Sequence, residues 1–195
     1  MLTTLVKVKR RLGLPDTDLQ YDTLLTDWIA AVTAGFERYC GRGLVRQVDH
    51  EQRYEAHRMF VPLDLYPVEG ETVAFELRSR GAISGALVAS VPYGLSPAGS
   101  AVELDVPLGV QGQQVAMKYT GGYVPSGAAV GPGQFEMPAD LENAATETVA
   151  TWFMLKDRSG LSSWSSAGFV GGKIVGGPLL ASVEAVLKGY VAVGM

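Results

Sequence analysis

Residues 21–54 read YDTLLTDWIAAVTAGFERYCGRGLVRQVDHEQRY, and the apolar period changes part-way along them. Up to about Tyr39, the side chains Leu24, Leu25, Trp28, Ile29, Val32 and Phe36 recur three and four apart. That spacing puts them on one wide buried face of a helix. Gly41 stands just beyond, where a helix readily stops. From Leu44 onward, β-branched and aromatic residues come in short runs broken by Gly, Pro and Ser, which is the patterning of strands. A long helix that gives way to strands at one point sets the architecture, and the remaining segments are placed around it.

Upstream, Leu5, Val8 and Leu12 follow helical spacing, Thr3 or Thr4 supplies a cap, and Gly13 followed by Pro15 ends the helix. Lys7, Lys9, Arg10 and Arg11 lie in its last turns, where cations complement exposed carbonyls. Asp16 and Asp18 are the N-cap candidates for the long helix. Downstream, six runs read as strands: 45–54, 59–65, 72–77, 83–91, 101–106 and 114–119. In Thr72–Leu77 the alternation places Val73, Phe75 and Leu77 on one face. A loop with five glycines and two prolines covers 121–137.

Pro138-Ala139-Asp140 then opens a third helix to Arg158, with Leu141, Ala145, Thr148, Trp152 and Leu155 at 4-3-4-3 spacing. Ser159–Gly177 holds six glycines and five serines and reads as a tether. A last helix begins near Pro178, carrying Leu179, Leu180, Val183, Val186, Leu187 and Tyr190. The fold class is therefore α+β: a small bundle of about four helices with a large antiparallel β insertion between the second and third. The expected divisions are a helical core (1–43 and 138–158), a β module (44–120), a loop (121–137), and a tether with terminal arm helix (159–195). Trp28 and Trp152 are expected to meet.

The 195 residues are 47% hydrophobic and 18% charged, with mean hydropathy +0.15, yet no run approaches a membrane-spanning length. Contact with other subunits is the natural outlet for the apolar surplus. A single cysteine, Cys40, excludes a disulfide framework and a multi-cysteine zinc site. The N-terminal residues lack the pattern of a secretory signal, so synthesis in the cytoplasm is expected. Residues 1–60 carry nine basic and eight acidic side chains and residues 61–195 seven and twelve, a balance that argues against a surface for wrapping nucleic acid.

A search for chemistry returns little. His50 and His57 are an odd number apart in a strand region, which points them to opposite faces, and Tyr54 stands where a His-Glu-x-x-His motif needs its second histidine. Gly171-Gly172-Lys173-Ile174 lacks the earlier glycine and the hydroxyl of a phosphate loop. Asp16, Asp18 and Asp22 have Gln20 and Tyr21 where a calcium loop needs an oxygen ligand and a glycine. Gly94-Leu95-Ser96-Pro97-Ala98 misses the closing glycine of a nucleophile elbow. Cys40 has no histidine near it in sequence and reads as a small buried thiol. No catalytic, metal or cofactor residue is assigned. Lys7, Lys9, Arg10 and Arg11 are the one place where DNA or another anionic partner would make contact.

Several fragments, in order along the chain, resemble the head–tail connector family of tailed phages, also called adaptor or head-completion proteins. They are Thr4-Leu5-x-x-Val8-Lys9-x-x-Leu12-Gly13-Leu14-Pro15 with Asp18 and Tyr21-Asp22-x-x-Leu25, and Phe36-Glu37-Arg38-Tyr39-Cys40-Gly41-Arg42. Leu65-Tyr66-Pro67-Val68, Tyr119-Thr120-Gly121-Gly122-Tyr123-x-Pro125, Met137-Pro138-Ala139-Asp140-Leu141-x-x-Ala144 and Leu187-Lys188-Gly189-Tyr190 complete the set. The low charge of the third helix and the glycine-rich 159–177 depart from the family pattern.

The resemblance implies a non-enzymatic virion protein of the head–tail neck. Its members form a dodecameric ring under the portal protein, extend the DNA channel without binding DNA specifically, and present a platform to a stopper or tail protein. By the same resemblance, Leu24, Trp28, Val32, Phe36, Leu141, Trp152 and Leu155 belong to the helical core and ring interface. Leu179, Leu180, Val183, Val186, Leu187 and Tyr190 form the arm that docks on the portal. Two other readings stay open. A stopper or tail-completion subunit would share the β module without needing four helical segments. A small hydrolase or carbohydrate-binding module would need convergent titratable groups in a pocket.

Overall fold

The computed structural model describes residues 1–70, 73–79, 85–88, 91–96, 99–110, 112–156 and 180–192. Thr72, Ile83, Arg158, the 159–177 stretch with its Gly171-Gly172-Lys173-Ile174, Pro178 and Leu179 lie outside the described residues. The order of elements is α1 (Leu5–Leu12), α2 (Asp22–Cys40), β1 (Gln47–Glu55), β2 (Phe60–Pro62), β3 (Ala74–Ser79), β4 (Ala86–Val88), β5 (Tyr93–Leu95), β6 (Ala101–Leu104), β7 (Gln113–Gly121), α3 (Ala139–Leu155) and α4 (Ala181–Lys188). The α+β class, with its β insertion between the second and third helices, is as predicted. The chain divides into two compact units, Met1–Phe36 with Ala139–Gly189, and Glu37–Pro138 with Tyr190–Met195.

The first unit is helical. Thr4 caps α1 by accepting the Lys7 N–H at 3.3 Å, and Gly13 ends it in the left-handed region (φ 71) with its N–H on the Arg10 carbonyl. α2 begins at Asp22, later than Asp16 or Asp18 would cap it. The Asp18 carboxylate instead accepts the Gln20 N–H at 3.0 Å, a local turn that competes with helix. α1 and α4 pack closely on α3, whose small residues Ala144, Ala145 and Ala150 are buried and permit the approach. The Thr3 and Thr146 hydroxyls, both buried, bond at 2.7 Å and fix the start of the chain to α3.

The second unit holds two antiparallel sheets, ordered β1-β7-β3-β4 and β2-β6-β5. Their inner faces share one core that includes Val61, Leu65, Val73, Phe75, Val102, Val115 and Met117, the arrangement of a sandwich. Val73 and Phe75 are buried and Leu77 packs against that core, so the alternation read from the sequence is the one that forms. Strand 83–91 shortens to Ala86–Val88 in the described residues, and β5 is a strand the sequence did not announce. The sequence gives it only three residues, one of them Gly94, too few to show a period.

The outer face of the larger sheet carries a ladder of alternating charge. Arg78 in β3 is almost wholly buried, donates to both Glu51 oxygens on β1 (2.9 and 3.0 Å) and to Glu76 (2.6 Å), while Lys118 on β7 also reaches Glu76 (3.0 Å).

Candidate functional site

The helical unit gathers four aromatic side chains on one patch. Trp28 of α2 meets Trp152 of α3 edge to face, with ring centroids 6.3 Å apart, and Phe153 at 6.5 Å. Tyr21, just before α2, meets Phe153 at 5.0 Å. The Lys156 ammonium lies 4.4 Å from the Phe153 ring centre and 5.6 Å from that of Tyr21. Edge-to-face rings under a cation are mutually favourable, yet all four rings stay half-exposed, and Met154 beside them in sequence is 59% exposed. Tryptophan, tyrosine, phenylalanine and methionine together at a surface are the composition of a protein interface.

The residues expected at the helical core and ring interface divide accordingly. Val32, Phe36 and Leu141 are fully buried and belong to the core. Leu24, Trp28, Trp152 and Leu155 are half-buried and remain able to touch another chain. Sequence reasoning missed Tyr21 and Phe153. Phe153 is off the 4-3-4-3 stripe, and its one sequence signal is the adjacent Trp152-Phe153 pair at a helix end.

The basic cluster of α1 is already engaged within its own unit. Lys7 pairs with Glu142 (2.5 Å) and Arg11 with Glu147 through two nitrogens (2.5 and 3.0 Å). Lys9 is 3% exposed; its Nζ donates to the Asp16 and Asp18 carbonyls (3.2 and 2.6 Å) and pairs with the Asp22 carboxylate at 2.5 Å. The cation among these three aspartates is the ammonium of Lys9. Of the four residues expected to meet an anion, Arg10 alone is exposed without an ion pair among the described residues.

The residues expected in the arm lie in different surroundings. Val183 and Leu187 are buried in the helical unit, where α4 lies on α3. Leu180 is exposed and Val186 half-buried. A shallow groove of about 250 Å³ remains between α3 and α4, floored by Ala144, Val183 and Val186 and rimmed by Asp140 and Glu147.

Tyr190 belongs to the β unit, where it completes a site around Arg42. That guanidinium is 5% exposed and stacks 3.6 Å above the Tyr66 ring, with Tyr123 and Tyr190 each 6.0 Å away. Its Nη1 donates to the Tyr66 carbonyl (2.6 Å) and its Nε to the Tyr190 carbonyl (2.8 Å), while the Ala192 N–H donates to the Cys40 carbonyl (2.8 Å). Three separate sequence fragments thus converge on the Arg42 side chain. Their shared tyrosines were the signal, but no local pattern says that they meet. Burial pushes the Cys40 thiol up from its ordinary pKa, with Arg42 offsetting only part of this, so it is no activated nucleophile.

The histidines separate. His57 is exposed on the turn after β1, with φ 74. His50 bonds Asp64 (2.8 Å) and Gln47 (3.0 Å) at the surface of β1. The Tyr119 hydroxyl reaches the same Asp64 oxygen (2.9 Å) and Gln52 (3.0 Å), and burial together with the Asp64 charge pushes its pKa well above the ordinary tyrosine value. This cluster ties the segment after β2 to β1 and β7. Among the described residues, no three His, Cys, Asp or Glu side chains are grouped to hold a metal ion, and no helix is long and apolar enough to cross a membrane.

No protein-family model and no curated protein matches this sequence. Solved structures do. A chain from the neck of an empty gene transfer agent particle, computed with C6 symmetry, superposes with a TM-score of 0.58 at 19% identity, covering 97% of this chain and 89% of that one. A chain from the virion of a native gene transfer agent particle gives the same values. The fold is that of a virion neck chain. At 97% coverage the likeness runs through both units.

Proposed function

We propose that the protein is a non-enzymatic structural subunit of the head–tail neck of a phage or phage-like particle, a connector that forms a ring under the portal. In this reading it resides in the virion, extends the DNA channel, and offers a platform to the next neck or tail protein. The likeness to a gene transfer agent neck chain over 97% of the sequence is the observation that carries it. The half-exposed patch of Tyr21, Trp28, Trp152 and Phe153 supports it, because a subunit with two neighbours needs apolar surface to cover. The engagement of Lys7, Lys9 and Arg11 with carboxylates agrees with DNA that passes without being gripped.

Native mass spectrometry of the purified chain, alone and with its portal protein, tests the reading. Closed multi-subunit species are expected, and Trp28→Ser with Trp152→Ser should weaken them. A chain that stays monomeric in both conditions overturns it.

A further inference from the structure

Two apolar features of the helical unit complement each other and cannot meet within one chain. One is the aromatic patch at the C-terminal end of α3, where Trp28, Trp152 and Phe153 are half-exposed, Met154 projects and Lys156 brings a positive charge. The other is the groove near the N-terminal end of α3, about 250 Å³, with a floor of Ala144, Val183 and Val186 and the carboxylates of Asp140 and Glu147 on its rim. Arg11 pairs with Glu147, but Glu184, next to Val183 in sequence and exposed, adds a third acid, so the surroundings of the groove stay negative. Both features belong to one compact unit. From Ala144 to Phe153 the helix rises about 14 Å, so the patch cannot enter its own groove. Charge then selects how two copies pair. Patch on patch would set Lys156 against Lys156, and groove on groove would set acids against acids; patch in groove brings opposite signs together.

We propose that in the assembled ring the aromatic end of α3 seats in the α3–α4 groove of the next copy, head to tail, with Lys156 facing the acidic rim. The inference rests on the ring reading above. Two different surfaces displaced along one unit make a heterologous contact, the kind that passes from copy to copy and closes into a ring when the rotation allows. Half-exposed, the four rings of the patch offer roughly 300–500 Å², half of the 150–250 Å² that each can bury. That is below the ~800 Å² per partner of a stable two-chain interface, so an isolated pair should be weak. In a closed ring each subunit makes the contact twice, once through its patch and once through its groove, and the shortfall is met.

The test uses the full chain with Asn143→Cys and Met154→Cys, exposed positions at the groove and at the patch. They stand eleven residues apart on α3, about 16 Å, well beyond disulfide reach, so a bond between them joins two chains. Cys40 is buried and takes no part. Oxidation of the assembled protein, read on a non-reducing gel, should give a ladder of dimer, trimer and higher species. Each single variant alone should stay unlinked, and the two mixed should give dimers only. As a second measure, Lys156→Glu should lower the population of closed species in native mass spectrometry about tenfold, and adding Asn143→Lys should restore most of the loss. Dimers from Met154→Cys alone, which mean patch on patch, or a Lys156→Glu chain that assembles like the wild type, overturn the pairing. Closed species that form without the ladder also overturn it and leave the ring reading standing, the patch then facing another protein or another part of its own chain. Absence of closed species, with and without the portal protein, overturns both.

Discussion

Replacing Lys9 with methionine separates a structural role for the basic cluster from an anion-binding one. The substitution keeps the length of the stem, which is buried, and so opens little cavity. What it removes is an ammonium that serves two main-chain carbonyls, Asp16 at 3.2 Å and Asp18 at 2.6 Å, and pairs with Asp22 at 2.5 Å. Removing one partner of a fully buried pair costs about 3–5 kcal/mol. Here the Asp22 side chain is 28% exposed, so water recovers part of the loss, and the expected cost is about 2–4 kcal/mol. For a chain of this size each kcal/mol lowers Tm by roughly 2–4 °C, so the fall should be about 4–16 °C. Arg10→Met is the matched control, an exposed cation with no ion pair among the described residues, and should change stability by less than about 0.5 kcal/mol. Thermal unfolding followed by far-ultraviolet circular dichroism and by Trp28 and Trp152 fluorescence measures both. Raising the salt should leave the Lys9→Met deficit in place, since a buried pair is poorly screened. If Lys9→Met melts within a degree of the wild type, or if Arg10→Met costs as much, the assignment of Lys9 to the α1–α2 loop is wrong.

Two further expectations concern the β unit. Gly122 sits at φ +89, and a Cβ there would lie 2.9 Å from the Arg46 N and Cα, so Gly122→Ala should destabilise by at least about 2 kcal/mol, read as a lower urea midpoint. Arg78 and Arg53 hold the Glu51 carboxyl below its ordinary 4.5, and Arg78 and Lys118 do the same for Glu76. As pH falls the unfolded chain takes up these protons first, so the stabilisation is complete above 4.5 and is lost as pH drops through the lower folded values. Tm measured from pH 6 down to 3 should fall steeply below that point, and Glu51→Gln should flatten the fall; an unchanged slope would discount the ladder.

The sequence carried the elements whose causes are local. Helical spacing from Leu24 to Phe36, the Thr4 cap, the Gly13 stop and the alternation at Val73, Phe75 and Leu77 all appear in the structure where neighbouring residues placed them. Short strands escaped, because three residues at Tyr93–Leu95 hold too little pattern to set a period. The α2 start moved to Asp22 because Asp18 closes a local turn before the helix can begin.

By itself, then, the sequence determined which segments are helix or strand, that the β region interrupts the helices, and that reactive groups are scarce. Those properties follow from periodicity, capping and composition, which act over a few residues. Only the tertiary structure decided that Lys7 faces Glu142, 135 residues away, that Val183 and Leu187 close onto α3, and that Arg42 grips a carbonyl 148 residues further along. The choice of partner for a charge or an apolar face depends on which distant groups the packed chain brings within reach, and no local spacing records it.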